Sequence, residues 1–208
     1  RYHKVTGVQT CALPISDIFK IETNHVVPVR GKVLISEPFL CDKMFGRSVV
    51  LLIDHTSEGT MGLVLNKPFP LSLSDIFHDI AGGRNIPIYW GGPLGADTIF
   101  YLHTIEGIPG AFPVEKGLYV NGDFNAVRDY INRTPSVEGT LRFFMGYSGW
   151  ESGQLEQEIE ENTWIVGRET TASLMDEKAS VGLWQKSLSK LGGKYAVWSR
   201  FPQIPTLN

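Results

Sequence analysis

The stretch Gly146 to Trp164, GYSGWESGQLEQEIEENTW, follows directly on LRFFMGY at Leu141 to Tyr147, and together they constrain the fold more than any other feature. LRFFMGY reads as a strong strand, because aromatic and apolar residues suit a pleated, covered surface. Gly146 and Gly149 then permit a sharp strand-to-helix turn, and an acidic helix is expected from about Ser152. That helix places Leu155 and Ile159 on one stripe, Glu158 and Asn162 at its edges, and Glu156, Glu160 and Glu161 toward water. A carboxylate beside an apolar stripe needs a cation or amide donors, so Glu158 is expected to form a structural ion pair, with Arg47, Lys67 and Arg142 as candidates. Trp150 and Trp164 are expected to brace the helix on the sheet.

Other elements follow in order. KVLISE at Lys32 to Glu37 reads as a strand, and RSVVLLID at Arg47 to Asp54 as a buried one whose continuous apolar run implies cover on both faces. HTSEGT at His55 to Thr60 connects it to MGLVLN at Met61 to Asn66, a hairpin with a longer loop. Lys67 precedes Pro68, so NKP ends that strand. A helix is expected over Ser72 to Ala81, with Ser72 as cap, Asp75 at the third position, and Gly82 and Gly83 as the stop. IPIYW, TIFYLHT and LYVNGD read as strands, and Phe124 to Asn132 as a helix. RETTASLMDEKAS is weakly patterned. Trp184, Leu188 and Leu191 mark an amphipathic helix, and YAVW at Tyr195 to Trp198 reads as a last strand.

Composition narrows the class. A 208-residue chain, 42% hydrophobic and 20% charged, is long enough to bury an ordinary core without staples. Its formal net charge of -3 supplies no field for phosphate backbones, so direct nucleic-acid binding is not expected. The longest apolar run, VVLLI at Val49 to Ile53, falls far short of the roughly 20 residues that span a bilayer, and no membrane association is expected. Two cysteines, Cys11 and Cys41, suit a reducing compartment, and the cytoplasm is the expected location. Residues Val5 to Ile15, VTGVQTCALPI, read as the translation of a sequencing adapter, so 1–16 is expected to be non-native, 17–30 a lead-in and 31–208 the domain.

Chemistry-bearing residues are sparse. His55 lies beside Asp54 and near Ser57, but a strand-end histidine and a turn serine explain this better than a catalytic triad. His103 could meet His55 across the sheet, yet no pair has metal-ligand spacing, and no metal or cofactor is expected. GGPLG at Gly91 to Gly95 matches neither dinucleotide nor phosphate-loop patterns, so a tight turn that lets backbones approach is the better reading. Cys41 reads as a small core residue.

These segments resemble the YqgE/AlgH family, DUF179 or UPF0301. The residues that carry the likeness are FGRSVVLLIDH at Phe45 to His55, GTMGLVLNKP at Gly59 to Pro68, WGGPL at Trp90 to Leu94, LHT at Leu102 to Thr104, and GYSGWESGQLEQEIEENTW. The family often has Ala where Ser148 stands. The resemblance covers nearly everything from Gly31 to Trp198. It implies an α/β (α+β) single domain with a curved, partly barrel-like mixed sheet flanked by helices. Neither catalytic residues nor a cofactor come with it, and its label of transcriptional regulator derives from an effect on alginate production.

The leading reading is a non-catalytic binding or regulatory domain for a protein partner or a small anionic ligand. The turns at Asn66 to Pro68, Gly91 to Pro93 and Gly146 to Trp150 would gather at one end of the sheet. The candidate surface comprises Arg47, His55, Asn66, Lys67, Gly91, Gly92, His103, Tyr147, Trp150, Gln154 and Glu158. The alternatives are a regulator of gene expression, acting directly or indirectly, and an enzyme using His55, His103 and Glu158.

Overall fold

β9 (Leu141–Glu151) is the strand on which the other elements converge, and it runs straight through the predicted glycine turn. The computed structural model describes residues 20–22 and 26–202, so the adapter-like segment and Cys11 lie outside the described residues. One mixed sheet contains β1 (Val33–Ser36), β2 (Val49–Thr56), β3 (Gly59–Val64), β4 (Pro68–Ser72), β5 (Pro87–Trp90), β6 (Leu94–His103), β7 (Phe112–Glu115), β8 (Leu118–Val120), β9 and β10 (Trp164–Gly167). Its order is β10-β1-β2-β3-β9-β6-β8-β7, with β5 also on β9 and β4 on β5. All pairings are antiparallel except β5 with β9. The sheet curves until Arg30, ahead of β1, lies 4.8 Å over the Phe112 ring of β7, but it does not close.

β9 changes neighbour at Gly146. Its first half pairs with β5 through Ile88↔Phe143 to Trp90↔Met145, and its second half pairs with β3 through Gly62↔Ser148 to Gly59↔Glu151. β6 takes the opposite edge. The three residues Gly91 to Pro93, between β5 and β6, therefore step across β9. A β carbon on Gly91 would stand 2.1 Å from the Gly146 carbonyl oxygen, and one on Gly92 would stand 2.2 Å from the Tyr147 carbonyl carbon. Gly146 itself has φ 71, and a β carbon there would meet the Leu94 carbonyl at 2.6 Å. The glycine segment thus serves backbone approach, as its composition implied. Gly91 N donates to Met145 O (2.8 Å), and Gly91 O accepts from Val64 N (2.9 Å) and Ser148 Oγ (3.0 Å).

Helices cover both faces: α1 (Leu73–Ile76), α2 (Phe124–Arg133), α3 (Gln154–Glu160), α4 (Thr171–Met175), α5 (Leu183–Leu191) and α6 (Gly193–Trp198). β2 is covered on both sides as its apolar run predicts, with Val49, Leu51 and Ile53 in one cluster and Val50 and Leu52 in another. Trp184 and Leu188 of α5 are buried, and none of the described helices is long and apolar enough to cross a membrane.

Several expectations are corrected. The helix expected over Ser72 to Ala81 is one turn, although Asp75 Oδ2 accepts from Ser72 N as a capping carboxylate should (2.7 Å). The chain after Pro68 forms β4, which tolerates Pro68 and Pro70 because it is an edge strand. YAVW is the helix α6, since Tyr195 and Trp198, three residues apart, pack edge to face at 5.0 Å. The strand-to-helix turn falls at Ser152–Gly153, where Gly153 has φ 76. Cys41 is exposed rather than buried.

Gly91→Ala is expected to cost at least about 3 kcal/mol, because the backbone at Gly146 cannot retreat without breaking β9. Gly182→Ala, where a β carbon meets nothing within 4 Å, is expected to be nearly neutral. Urea unfolding midpoints of the two variants check both.

Candidate functional site

The β2–β3 hairpin extends along the C-terminal half of β9, with Thr60 opposite Trp150 and Gly59 opposite Glu151. Beyond this pairing β9 turns into α3, and the two elements enclose an open cleft of about 550 Å³. Met61, Leu94, Tyr147 and Trp150 supply its apolar surface, and Leu94 is 44% exposed. Asp54 and Glu58 stand on the hairpin side, Glu151 and Gln154 on the helix side, and among the described residues neither Lys nor Arg lines it. The cleft is therefore electronegative over an aromatic floor.

Glu158 lies behind that floor, and its partners differ from those expected. Its Oε2 accepts from the indole N–H of Trp150 (2.9 Å) and of Trp164 (2.7 Å), and its Oε1 accepts from Gln154 Nε2 (2.9 Å). Neutral donors, not a cation, satisfy this half-buried carboxylate. The two indoles meet edge to face at 6.0 Å, with Phe45 against both. The bracing role of Trp150 and Trp164 is thus a hydrogen-bonded clamp that fixes the cleft floor to β10.

The three cations proposed for Glu158 are engaged elsewhere. Arg47, at φ 53, donates to Phe201 O (2.6 Å) and lies 4.8 Å over Trp184. Lys67 donates to Gly46 O (2.6 Å), and Asn66 ties Arg47 O to Val49 N. These residues staple the β1–β2 loop, and burial lowers the pKa of both Arg47 and Lys67. Arg142 is wholly buried against Leu65, Leu174 and Ser180.

The histidines do not meet. His103 pairs with Leu141 at the start of β9, whereas His55 pairs with Thr60, opposite Trp150 near its end. Those positions lie roughly 30 Å apart along an extended strand. His103 is fully buried, its ring nitrogens facing Ile105 O (3.1 Å) and Asn121 O (2.9 Å). His55 Nδ1 bonds with Thr60 Oγ1 (2.7 Å), and its Nε2 lies 3.6 Å from Glu156. Ser57 turns to Glu58 instead (3.3 Å). The set His55, His103 and Glu158 is thus dispersed. Among the described residues no cluster of three or more His, Cys, Asp or Glu is placed to hold a metal ion.

Of the predicted surface, Tyr147, Trp150 and Gln154 line the cleft, with His55 and Glu158 behind it, while Gly91 and Gly92 form the chain crossing beneath. Asp54, Glu58, Met61 and Leu94 were missed, although an acid at each end of the HTSE turn was a usable signal. A larger hollow of about 720 Å³, between Gly139 and Met175, holds none of the predicted residues.

Glu158→Gln replaces one acceptor oxygen by a donor facing either two indoles or the Gln154 amide. It is expected to cost about 1–2 kcal/mol, read from thermal unfolding, with a shift in tryptophan emission.

A family model described as DUF179, AlgH-like, matches residues 33–196. A UPF0301 protein of Bacteroides fragilis is 58% identical over 193 residues, spanning 93% of this chain and 98% of its own length. Another, from Bacteroides thetaiotaomicron, is 57% identical over the same extent. The solution structure of AlgH from Pseudomonas aeruginosa superposes with a TM-score of 0.62 at 26% identity, covering 83% of this chain and 94% of that one. A Corynebacterium diphtheriae crystal structure gives 0.71 at 24% identity, covering 85% and 94%. The chain belongs to the AlgH-like DUF179 family.

Proposed function

We propose that this chain is a non-catalytic binding domain of the cytoplasm whose cleft takes a basic segment of a partner protein. The observation that carries this reading is the cleft itself, where Asp54, Glu58 and Glu151 surround an aromatic and aliphatic floor with no lining cation among the described residues. Lysine or arginine side chains suit such a site, with their stems on Tyr147 and Leu94 and their charges at the carboxylates. A small anion or a nucleic-acid backbone would meet repulsion there, and the net charge of -3 adds to it. Any influence on gene expression then runs through the partner rather than through contact with DNA. The paucity of cysteine favours the reducing cytoplasm.

The enzyme alternative loses its polar set, because His103 faces the core at the far end of β9 from His55.

Titration of the isotope-labelled chain with short Lys/Arg-rich peptides containing an aromatic residue is expected to shift the amides of Asp54 to Met61 and Tyr147 to Gln154. Glu58→Lys with Glu151→Lys should weaken that binding about 10-fold, at roughly 0.7 kcal/mol for each exposed pair. High salt should act in the same direction. Equal shifts with an acidic peptide, or shifts confined to another face, would overturn the reading.

A further inference from the structure

Arg142 is a wholly buried guanidinium that lies 4.6 Å over the Tyr89 ring and 5.3 Å over the Phe144 ring. Its terminal nitrogens donate to the carbonyls of Leu174 and Leu65 and to Ser180 Oγ. Its Nε is buried and has no hydrogen-bond partner. Glu177 lies in the turn after α4, and its Oε1 is likewise buried without a partner. Its backbone carbonyl accepts from Tyr89 OH (3.3 Å) and from Ser180 N (3.2 Å). The residues that seat Arg142 therefore also seat Glu177, leaving an unpaired donor and an unpaired acceptor in one region of the fold. Unsatisfied groups of this kind are rare and costly in folded proteins.

Glu177 faces Arg142 from β9, Tyr89 from β5 and Glu138 from the turn before β9, with Arg84 lining the same hollow of about 180 Å³. Its own turn supplies Asp176 and Lys178, and Lys178 bridges Glu138 at 2.7 Å. We propose that the Asp176–Ser180 turn is a pH-responsive latch, seated as described when Glu177 is neutral and drawn onto the Arg142 Nε when Glu177 ionises. Closure would reshape the hollow of about 720 Å³ that Asp176 and Met175 line.

Burial pushes the Glu177 carboxyl up to about 7, Arg142 opposes that rise, and Glu138 and Asp176 add to it. The folded value thus lies above the ordinary glutamate value of 4.5. The native state takes up this proton first, so its stabilising effect is complete below the unfolded value and is lost as pH rises through about 7. The latch closes as the folded-state carboxyl ionises, at the upper end of the window in which that stabilisation is lost, near pH 7.

Carboxyl-carbon NMR of the full chain, labelled at glutamate, tests the proposal. One resonance is expected to titrate near neutrality, to vanish in Glu177→Gln, and to share its midpoint with the Arg142 Nε–H and the amides of residues 176–180. Glu138→Gln should lower that midpoint without disturbing Arg142. Glu177→Gln should raise Tm by a few degrees near pH 8 and leave it unchanged near pH 5. Comparing wild type with the variant removes the contribution of the histidines. A Glu177 resonance titrating in the ordinary carboxylate range, or an Arg142 Nε–H indifferent to pH across neutrality, would overturn it.

Discussion

The fold depends on one backbone crossing. Between β5 and β6 the chain passes from one edge of β9 to the other in three residues, and it does so where Gly91, Gly92 and Gly146 leave no side chain between backbones. The approach is close enough that Gly91 N bonds Met145 O, while Gly91 O receives Val64 N and Ser148 Oγ. Four strands are thereby joined at one point. β3, β5 and β6 all take their positions from β9, and the cleft lies on the continuation of that strand past the crossing.

Among the described residues Glu158 and Arg142 are each held without an ion-pair partner, whereas the buried Glu169 pairs with Lys190. Glu158 is held by two indoles and an amide, and Arg142 by carbonyls, a hydroxyl and two aromatic faces. Each arrangement ties a strand to a helix or a turn. Glu158 fastens α3 to β9 and β10, and Arg142 fastens β9 to the end of α4. Asp54, Glu58 and Glu151 line the cleft beside these anchored elements.

Much of the fold could be read from local pattern. The β2 run Val49 to Ile53 declares its two-sided burial, and the Asp123-capped helix α2 falls where its stripe of Val127 and Ile131 predicts. Errors arose where tertiary context overrides local signals. Gly146 and Gly149 look like a turn because the crossing segment that explains them lies some fifty residues upstream. YAVW has strand-forming residues, but Tyr195 and Trp198 are buried together only in a helix. The candidate site was partly legible for the same reason. Tyr147, Trp150 and Gln154 belong to a distinctive motif, whereas Asp54, Glu58 and Leu94 join them only through the register of β3 and β6 on β9. Asn66 and Lys67 look available because the β1–β2 loop they staple lies well upstream, and Arg47, inside that loop, because its acceptor Phe201 lies near the far end of the chain.

The position of β9 has a consequence for assembly. Leu141–Glu151 is made after β1 to β8, yet β3, β5 and β6 each need it as a partner. During synthesis the first two-thirds of the chain emerge with the β3, β5 and β6 edges awaiting β9 and the β1 edge awaiting β10, and contacts of long sequence separation close slowly. The β1–β2–β3 meander can form early from local hairpins. The crossing of Gly91 over Gly146 cannot be threaded afterward as a detail, because it forms only when β9 slots between β5 and β6. Folding of this domain is therefore gated by one late strand, whose arrival pairs three open edges in a single step.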